Sequence, residues 1–227
     1  MNALDFILFA PLVGFLILLL VPRSKPQSSR MLALVISIVV FLVSLALIAP
    51  FWFASPHGFQ FATDVPWIAT PQIHYHVGID GLSLWLVLLT TLLTPICVLV
   101  SWKYIDKRVK EYYAFLILLE FGMMGTFVAL DLFLFYVFWE VSLVPMYFLI
   151  GIWGHERRVY AAVKFFLYTF AGSVLMLTAI IYLYNVTGSM DYPAVLAAIG
   201  SGRVTLHWGT QMLLFLGFFI AFAIKVP

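Results

Sequence analysis

The sequence predicts an all-α polytopic membrane protein with about seven transmembrane helices. Three observations carry that expectation. Hydrophobic residues make up 64% of the 227 and charged residues only 10%, with a mean hydropathy of +1.09. A soluble domain of this size has too little interior to hide so much apolar surface. Apolar runs of about 20 residues, the length that crosses a bilayer, recur along the whole chain. Lysine and arginine collect in every second loop between those runs.

The first span is read from about Leu4 to Val21. The run is flanked by Asp5 rather than by basic residues, and the positives, Arg23 and Lys25, follow it. That order is the reverse of a signal peptide and fits a retained span. The second runs from about Met31 to Phe53. A polar stretch follows from Ala54 to Asp80, without Lys or Arg. The third covers about Gly81 to Ser101, with Asp80 in N-cap position. The fourth covers about Tyr113 to Leu130, Asp131 marks a tight turn, and the fifth runs from about Leu132 to Trp153. The sixth covers about Ala162 to Tyr184, and a loop from Asn185 to Gly209 leads to a seventh that begins near Thr210 and meets the last residue, Pro227, mid-membrane. A natural chain rarely stops there, so the sequence is expected to be the amino-terminal part of something longer.

Counted by loop, Lys and Arg number three, none, four, none, three and one. The positive-inside rule then places the amino terminus outside and the odd loops in the cytoplasm. The net charge of +2 is too small to argue for nucleic acid. The single cysteine, Cys97, excludes an intrachain disulfide, a cysteine-ligated iron–sulfur cluster and a CxxC pair. No GxGxxG, P-loop or HExxH motif is present. His74 and His76 would lie on one side of a strand, and two histidines without a third ligand read more simply as loop residues than as a metal site. Trp52, Trp67, Trp102, Trp153 and Trp208 fall near span ends, as an aromatic belt does. Ala171, Gly172 and Ser173 point to close helix packing.

Chemistry is expected where charge enters the membrane. Glu140 is eight residues into the span from Leu132, about 12 Å deep at 1.5 Å per residue. At that depth a carboxylate costs several kcal/mol unless neutral, hydrated or paired. Pro145 lies five residues on, removes a backbone hydrogen bond and clashes with the Val141 carbonyl, which loosens the helix beside the acid. The plainer reading is a protonated acid bonded to a neighbouring helix. Lys225 lies about fifteen residues into the seventh span, too deep to snorkel easily. Pro227, two residues on, predicts a second broken helix, and broken helices at membrane depth line cavities and ion sites. At about 4 Å and an effective dielectric near 20, such a pair attracts by about 4 kcal/mol. Moving or neutralising the carboxylate leaves a desolvated ammonium ready to release its proton, a switchable carrier that needs no cofactor. Glu120, about seven residues into the fourth span, either extends a water-filled path or is a structural hydrogen bonder. Lys164, near the cytoplasmic end of its helix, reads as a snorkelling anchor, with a pathway role as the sharper alternative. Asp5 and Asp131 are read as interfacial.

The run FLFYVFWEVSLVPMYFLIGIWG, from Phe133, resembles the fifth helix of the antiporter-like membrane subunits of respiratory complex I. GIDGLSLW (Gly78 to Trp85), AAVKFFLYTFAGS (Ala161 to Ser173) and FAIKVP (Phe222 to Pro227) resemble further segments of that family. The resemblance covers most of the chain and is strongest from Gly78 onward. It implies a fold of about fourteen helices with two inverted repeats, of which this chain, one transmembrane domain, holds the first part. Residues 1–110 would form three peripheral helices, and residues 111–227 would begin the first repeat, with its fourth helix cut short. Glu140 matches the family's glutamate and Lys225 its broken-helix lysine. The eighth helix, with a further family lysine, and the second repeat are not in this sequence.

The resemblance implies a proton-translocating subunit of a NADH:quinone oxidoreductase, without redox chemistry in this chain. No cofactor is expected here, and NADH, flavin, iron–sulfur clusters and quinone would belong to partner subunits. The expected partners are other membrane-arm subunits, including neighbouring antiporter-like ones, and the lipid of a bacterial cytoplasmic membrane. The alternatives are a subunit of a multisubunit sodium/proton antiporter or membrane-bound hydrogenase, which share these motifs, and a scaffold whose buried charges are only structural.

Overall fold

The structure, a computed structural model, describes residues 2–53 and 58–226. Among them it has helices α1 (Ala3–Leu20), α2 (Pro26–Leu45), α3 (Ile48–Phe53), α4 (Gly81–Ser101), α5 (Val109–Val128), α6 (Leu132–Val141), α7 (Leu143–Trp153), α8 (Arg158–Thr187), α9 (Tyr192–Gly200) and α10 (Trp208–Lys225). With α2–α3 and α6–α7 each taken as one span, seven helices among the described residues are long and apolar enough to cross a membrane. The mostly helical, seven-span expectation therefore holds. The second span begins at Pro26 rather than Met31, because the proline opens it at a position where a missing N–H costs nothing.

The polar stretch after the second span is not plain loop. Most of it forms an antiparallel hairpin of β1 (Gln60–Ile68) and β2 (Ile73–Ile79), so the architecture departs here from all-α. Aromatic and β-branched residues in QFATDVPWI and IHYHVGI favour strand, and an open two-stranded sheet must stand outside the hydrocarbon, where water satisfies its edges. The Asn185–Gly209 loop likewise contains α9, started by Asp191, which accepts from the Ala194 amide.

Helix ends carry polar caps at the hairpin end of the molecule. Asn2 and Asp5 form a reciprocal capping box on α1. Asp5 also accepts from Tyr75 Oη at 2.9 Å and from Thr63 Oγ1 at 3.1 Å, which ties the amino terminus to the hairpin. Burial, then the bond to Asp5, holds the Tyr75 phenol above its usual range. Asp131 caps α6 through the Phe133 and Leu134 amides and also accepts from the His74 amide. The Leu130 amide donates to His76 O and the Tyr192 amide to Leu130 O, so hairpin, α6 and α9 are laced together at one end. His74 and His76 are engaged separately, by Asp64 at 2.6 Å and by Asp191 at 2.5 Å.

The opposite end gathers the basic loops. Arg23 pairs with Glu111 at 2.7 Å, Arg30 donates to Ile105 O, Lys110 to Leu19 O and Trp153 Nε1 to Lys107 O. The loops counted as odd thus meet at one end of the bundle, and the hairpin and α9 stand at the other.

Asp80 caps α4 through the Leu82 and Ser83 amides at 3.0 and 2.8 Å. Burial works against its charged form, but these bonds and the Ser83 hydroxyl outweigh it and hold the carboxyl below its ordinary value. A carboxyl depressed in the folded state contributes stability above its unfolded pKa of about 3.9 and loses it as pH falls through the folded value. Asp80→Ala is therefore expected to cost about 1 kcal/mol at neutral pH. Thermal unfolding of the detergent-purified protein should show the two forms converging as pH falls below about 4.

α5 is the central element, packed against α1, α2, α4, α6 and α7. Its glycines permit this. A Cβ at Gly122 would come within 3.0 Å of the Ser142 backbone, and one at Gly125 within 2.4 Å of three Phe138 ring atoms. α10 lies on α8 by the same means: Gly172 meets Ile224, and Gly217 meets the Leu175 carbonyl. The small-residue cluster around Gly172 is a packing surface, as expected, and it sets the position of α10 and hence of Lys225.

Candidate functional site at the α6–α7 break

The span from Leu132 to Trp153 is interrupted at Ser142, one residue past the Val141 carbonyl that Pro145 cannot satisfy. Glu140 is the penultimate residue of α6. Its carboxylate is half-buried, and Oε1 is enclosed with no hydrogen-bond partner among the described residues. Tyr136 lies one turn earlier on the same helix, the spacing that puts two side chains on one face.

Lys225, the last residue of α10, reaches this break. Its ammonium donates to Ser142 Oγ at 2.9 Å and to Trp139 O at 3.3 Å. It also stands 3.8 Å from the centroid of the Trp139 ring, well within cation–π range. Trp139 and Ser142 flank Glu140 in sequence, so the ammonium sits beside the turn that carries the acid. The two charges are not in contact: among the described residues the ion pairs within 4.0 Å all lie elsewhere. Val226 after Lys225 is extended, the backbone favoured before a proline, whereas Pro227 lies outside the described residues.

The other two predicted residues stand apart. Glu120 is fully buried on α5, with both carboxylate oxygens enclosed and unpartnered among the described residues. Across from it α4 carries the buried hydroxyls of Thr90, Thr91 and Thr94, all three of which donate back to their own helix, and Thr91 also pairs with Ser44 of α2 at 2.8 Å. Lys164 is on an exposed face near the start of α8, 5.9 Å over the Tyr160 ring. Sequence reasoning missed Ser142 and Trp139. The one available signal was a lone hydroxyl two residues from an intramembrane acid; Trp139 reads as one more apolar residue in an apolar run.

Known proteins resemble this chain in sequence and fold. Residues 129–227 match the family model described as NADH:quinone oxidoreductase/Mrp antiporter, TM. The whole chain is 46% identical to NADH-quinone oxidoreductase subunit M of Rhodobacter capsulatus, over 46% of that protein. It is 41% identical to NADH-ubiquinone oxidoreductase chain 4 of Arabidopsis thaliana, over 44% of it. The chain thus spans a little under half the length of these relatives. Among solved structures, respiratory complex I from Thermus thermophilus contains a chain that superposes with a TM-score of 0.84 at 29% identity, covering 99% of this chain and 44% of that one. The Mrp complex of a Dietzia species shares the fold, with a TM-score of 0.78 at 20% identity over 96% of this chain and 23% of that one. Over its whole length the chain is thus similar in sequence and fold to NADH-quinone oxidoreductase subunit M and its relatives, and residues 129–227 belong to the NADH:quinone oxidoreductase/Mrp antiporter family.

Proposed function

We propose that this chain works as a proton-translocating membrane-arm subunit of a NADH:quinone oxidoreductase, with Lys225 as the proton carrier and Glu140 as the group that controls it. One observation carries the reading: the Lys225 ammonium stands at the α6–α7 break beside Glu140, without being locked to it. A contact pair at about 4 Å gains about 4 kcal/mol at an effective dielectric near 20, roughly a thousandfold in an equilibrium. Modest movement of either helix end therefore alters how firmly the lysine holds its proton. Glycine-packed helices broken at Ser142 and ending at Lys225 are suited to such movement, because few side chains must repack.

Glu120 is proposed to assist as a second protonatable group between α2, α4 and α5, where the hydroxyls of Thr90, Thr91, Thr94 and Ser44 could lead water towards it. Lys164 is proposed as an entry-side residue at the basic end. The residues from about 111 onward would begin the first of two repeats. The amino terminus would face outward across a bacterial cytoplasmic membrane, in keeping with the collection of Lys and Arg at the opposite end. NADH, flavin, iron–sulfur clusters and quinone would be held by partner subunits of the membrane and peripheral arms.

The test uses membrane vesicles carrying the assembled complex. Lys225→Ala is expected to abolish NADH-driven proton uptake while NADH oxidation by an artificial electron acceptor persists, which reports that the partner subunits are in place. Full proton uptake in an assembled Lys225→Ala complex would reject the reading.

A further inference from the structure

We propose that Ser142 is a positioning residue for proton transfer: with the Trp139 carbonyl and indole it forms a second resting place for the Lys225 ammonium, separate from Glu140. The inference rests on the carrier role assigned above to Lys225.

The argument begins with the protons. A serine hydroxyl has one proton and two lone pairs. The Ser142 proton is committed to Trp139 O, at 2.7 Å, the local bond that serines commonly make within helices. Its lone pairs are left as acceptors, and Lys225 Nζ lies 2.9 Å from one of them. The ammonium also donates to Trp139 O at 3.3 Å, so Nζ, Oγ and the carbonyl oxygen close a triangle with every donor directed at an acceptor. The Trp139 ring covers a further side at 3.8 Å. Hydroxyl oxygen, carbonyl dipole and aromatic face are the three neutral groups that solvate a cation in a dry site.

Glu140 makes no ion pair with Lys225 here, and its Oε1 is enclosed without a hydrogen-bond partner among the described residues. The lysine thus has two adjoining positions, one on the neutral cage and one on the carboxylate. The cage is placed by close helix packing. The Ser142 backbone is pressed by α5 at Gly122, and Gly172 and Gly217 fix α10 on α8. The turn itself is closed by the Ser142 amide, which donates to the Phe138 and Glu140 carbonyls, and not by the hydroxyl.

Removing the acceptor unbalances the two positions. A hydrogen bond to a charged group is worth enough to shift such an equilibrium about tenfold or more. In vesicles carrying the assembled complex, Ser142→Cys, which keeps the volume and loses the good acceptor, is expected to lower NADH-driven proton uptake about tenfold. Ser142→Ala should do the same, and Ser142→Thr, which keeps the hydroxyl, should restore most of it. Oxidation of NADH by an artificial acceptor reports assembly in each case. Cysteine behaving like wild type, or threonine failing as badly as alanine in an assembled complex, overturns the proposal, because volume alone then matters. So does a cysteine variant that fails to assemble while threonine assembles, which assigns the hydroxyl to folding. If Lys225→Ala stops proton uptake and Ser142→Cys does not, only this proposal falls. If Lys225→Ala leaves uptake intact, the carrier reading falls with it.

Discussion

Glu140→Ala is expected to abolish coupled proton transport while leaving the complex assembled, and Glu140→Asp to be milder. The alanine variant removes the carboxylate beside the α6–α7 break, so the Lys225 ammonium keeps its contacts with Ser142 and Trp139 and loses the second partner proposed for it. A carrier with one position cannot alternate. The lost interaction, about 4 kcal/mol at contact, corresponds to roughly three decades in the balance between positions, so a residual activity below one per cent is anticipated. Aspartate keeps the charge and shortens the reach by one methylene, which weakens the contact without removing it. Proton uptake by energised vesicles, normalised to NADH oxidation by an artificial acceptor, measures both. An assembled Glu140→Ala complex that pumps fully would show the acid to be structural.

Gly125→Ala is expected to impair the subunit for a different reason, by expelling α6 from its seat on α5. The added methyl would stand 2.1 Å from Phe138 Cδ1, 2.2 Å from Cγ and 2.4 Å from Cε1, and Phe138 is itself buried. Overpacking of this kind typically costs about 1–3 kcal/mol. The strain falls two residues from Glu140 and four from Ser142, so the site moves with it. Gly125→Val should be worse, and Phe138→Leu in the Gly125→Ala background should recover part of the loss by vacating the clash. Yield and thermal stability of the purified protein report the effect; an unchanged melting temperature for Gly125→Ala would show that α6 can shift at no cost.

The spans are legible in the sequence because the bilayer imposes a length and a polarity on each. Gly81–Ser101 is readable to the residue, and Pro145 places the interruption of the fifth span within one residue. The hairpin is only half legible: its strand formers stand out, but TDVPWIATPQIHYHVGID mixes them with turn formers, and its docking on Leu130 and Asp131 is a long-range contact. α9 escapes because nine residues are too few to show a period against a loop background. Asp131 reads as an interfacial turn residue; its threefold capping of α6 and β2 is visible only once the hairpin folds back on it.

Depth in the membrane follows from sequence, because each helix advances a constant 1.5 Å per residue. Hydropathy alone therefore identifies Glu140 and Lys225 as misplaced charges. It does not identify their neighbours, because lateral position depends on which helix faces touch. Gly122 and Gly125 bring α5 against α6, and Gly172 and Gly217 bring α10 against α8. Those contacts carry Lys225 to Ser142 and Trp139 rather than onto Glu140 itself. Hydropathy and charge set how far into the membrane each group lies, and only the close approach of glycine-lined helices decided what it meets there.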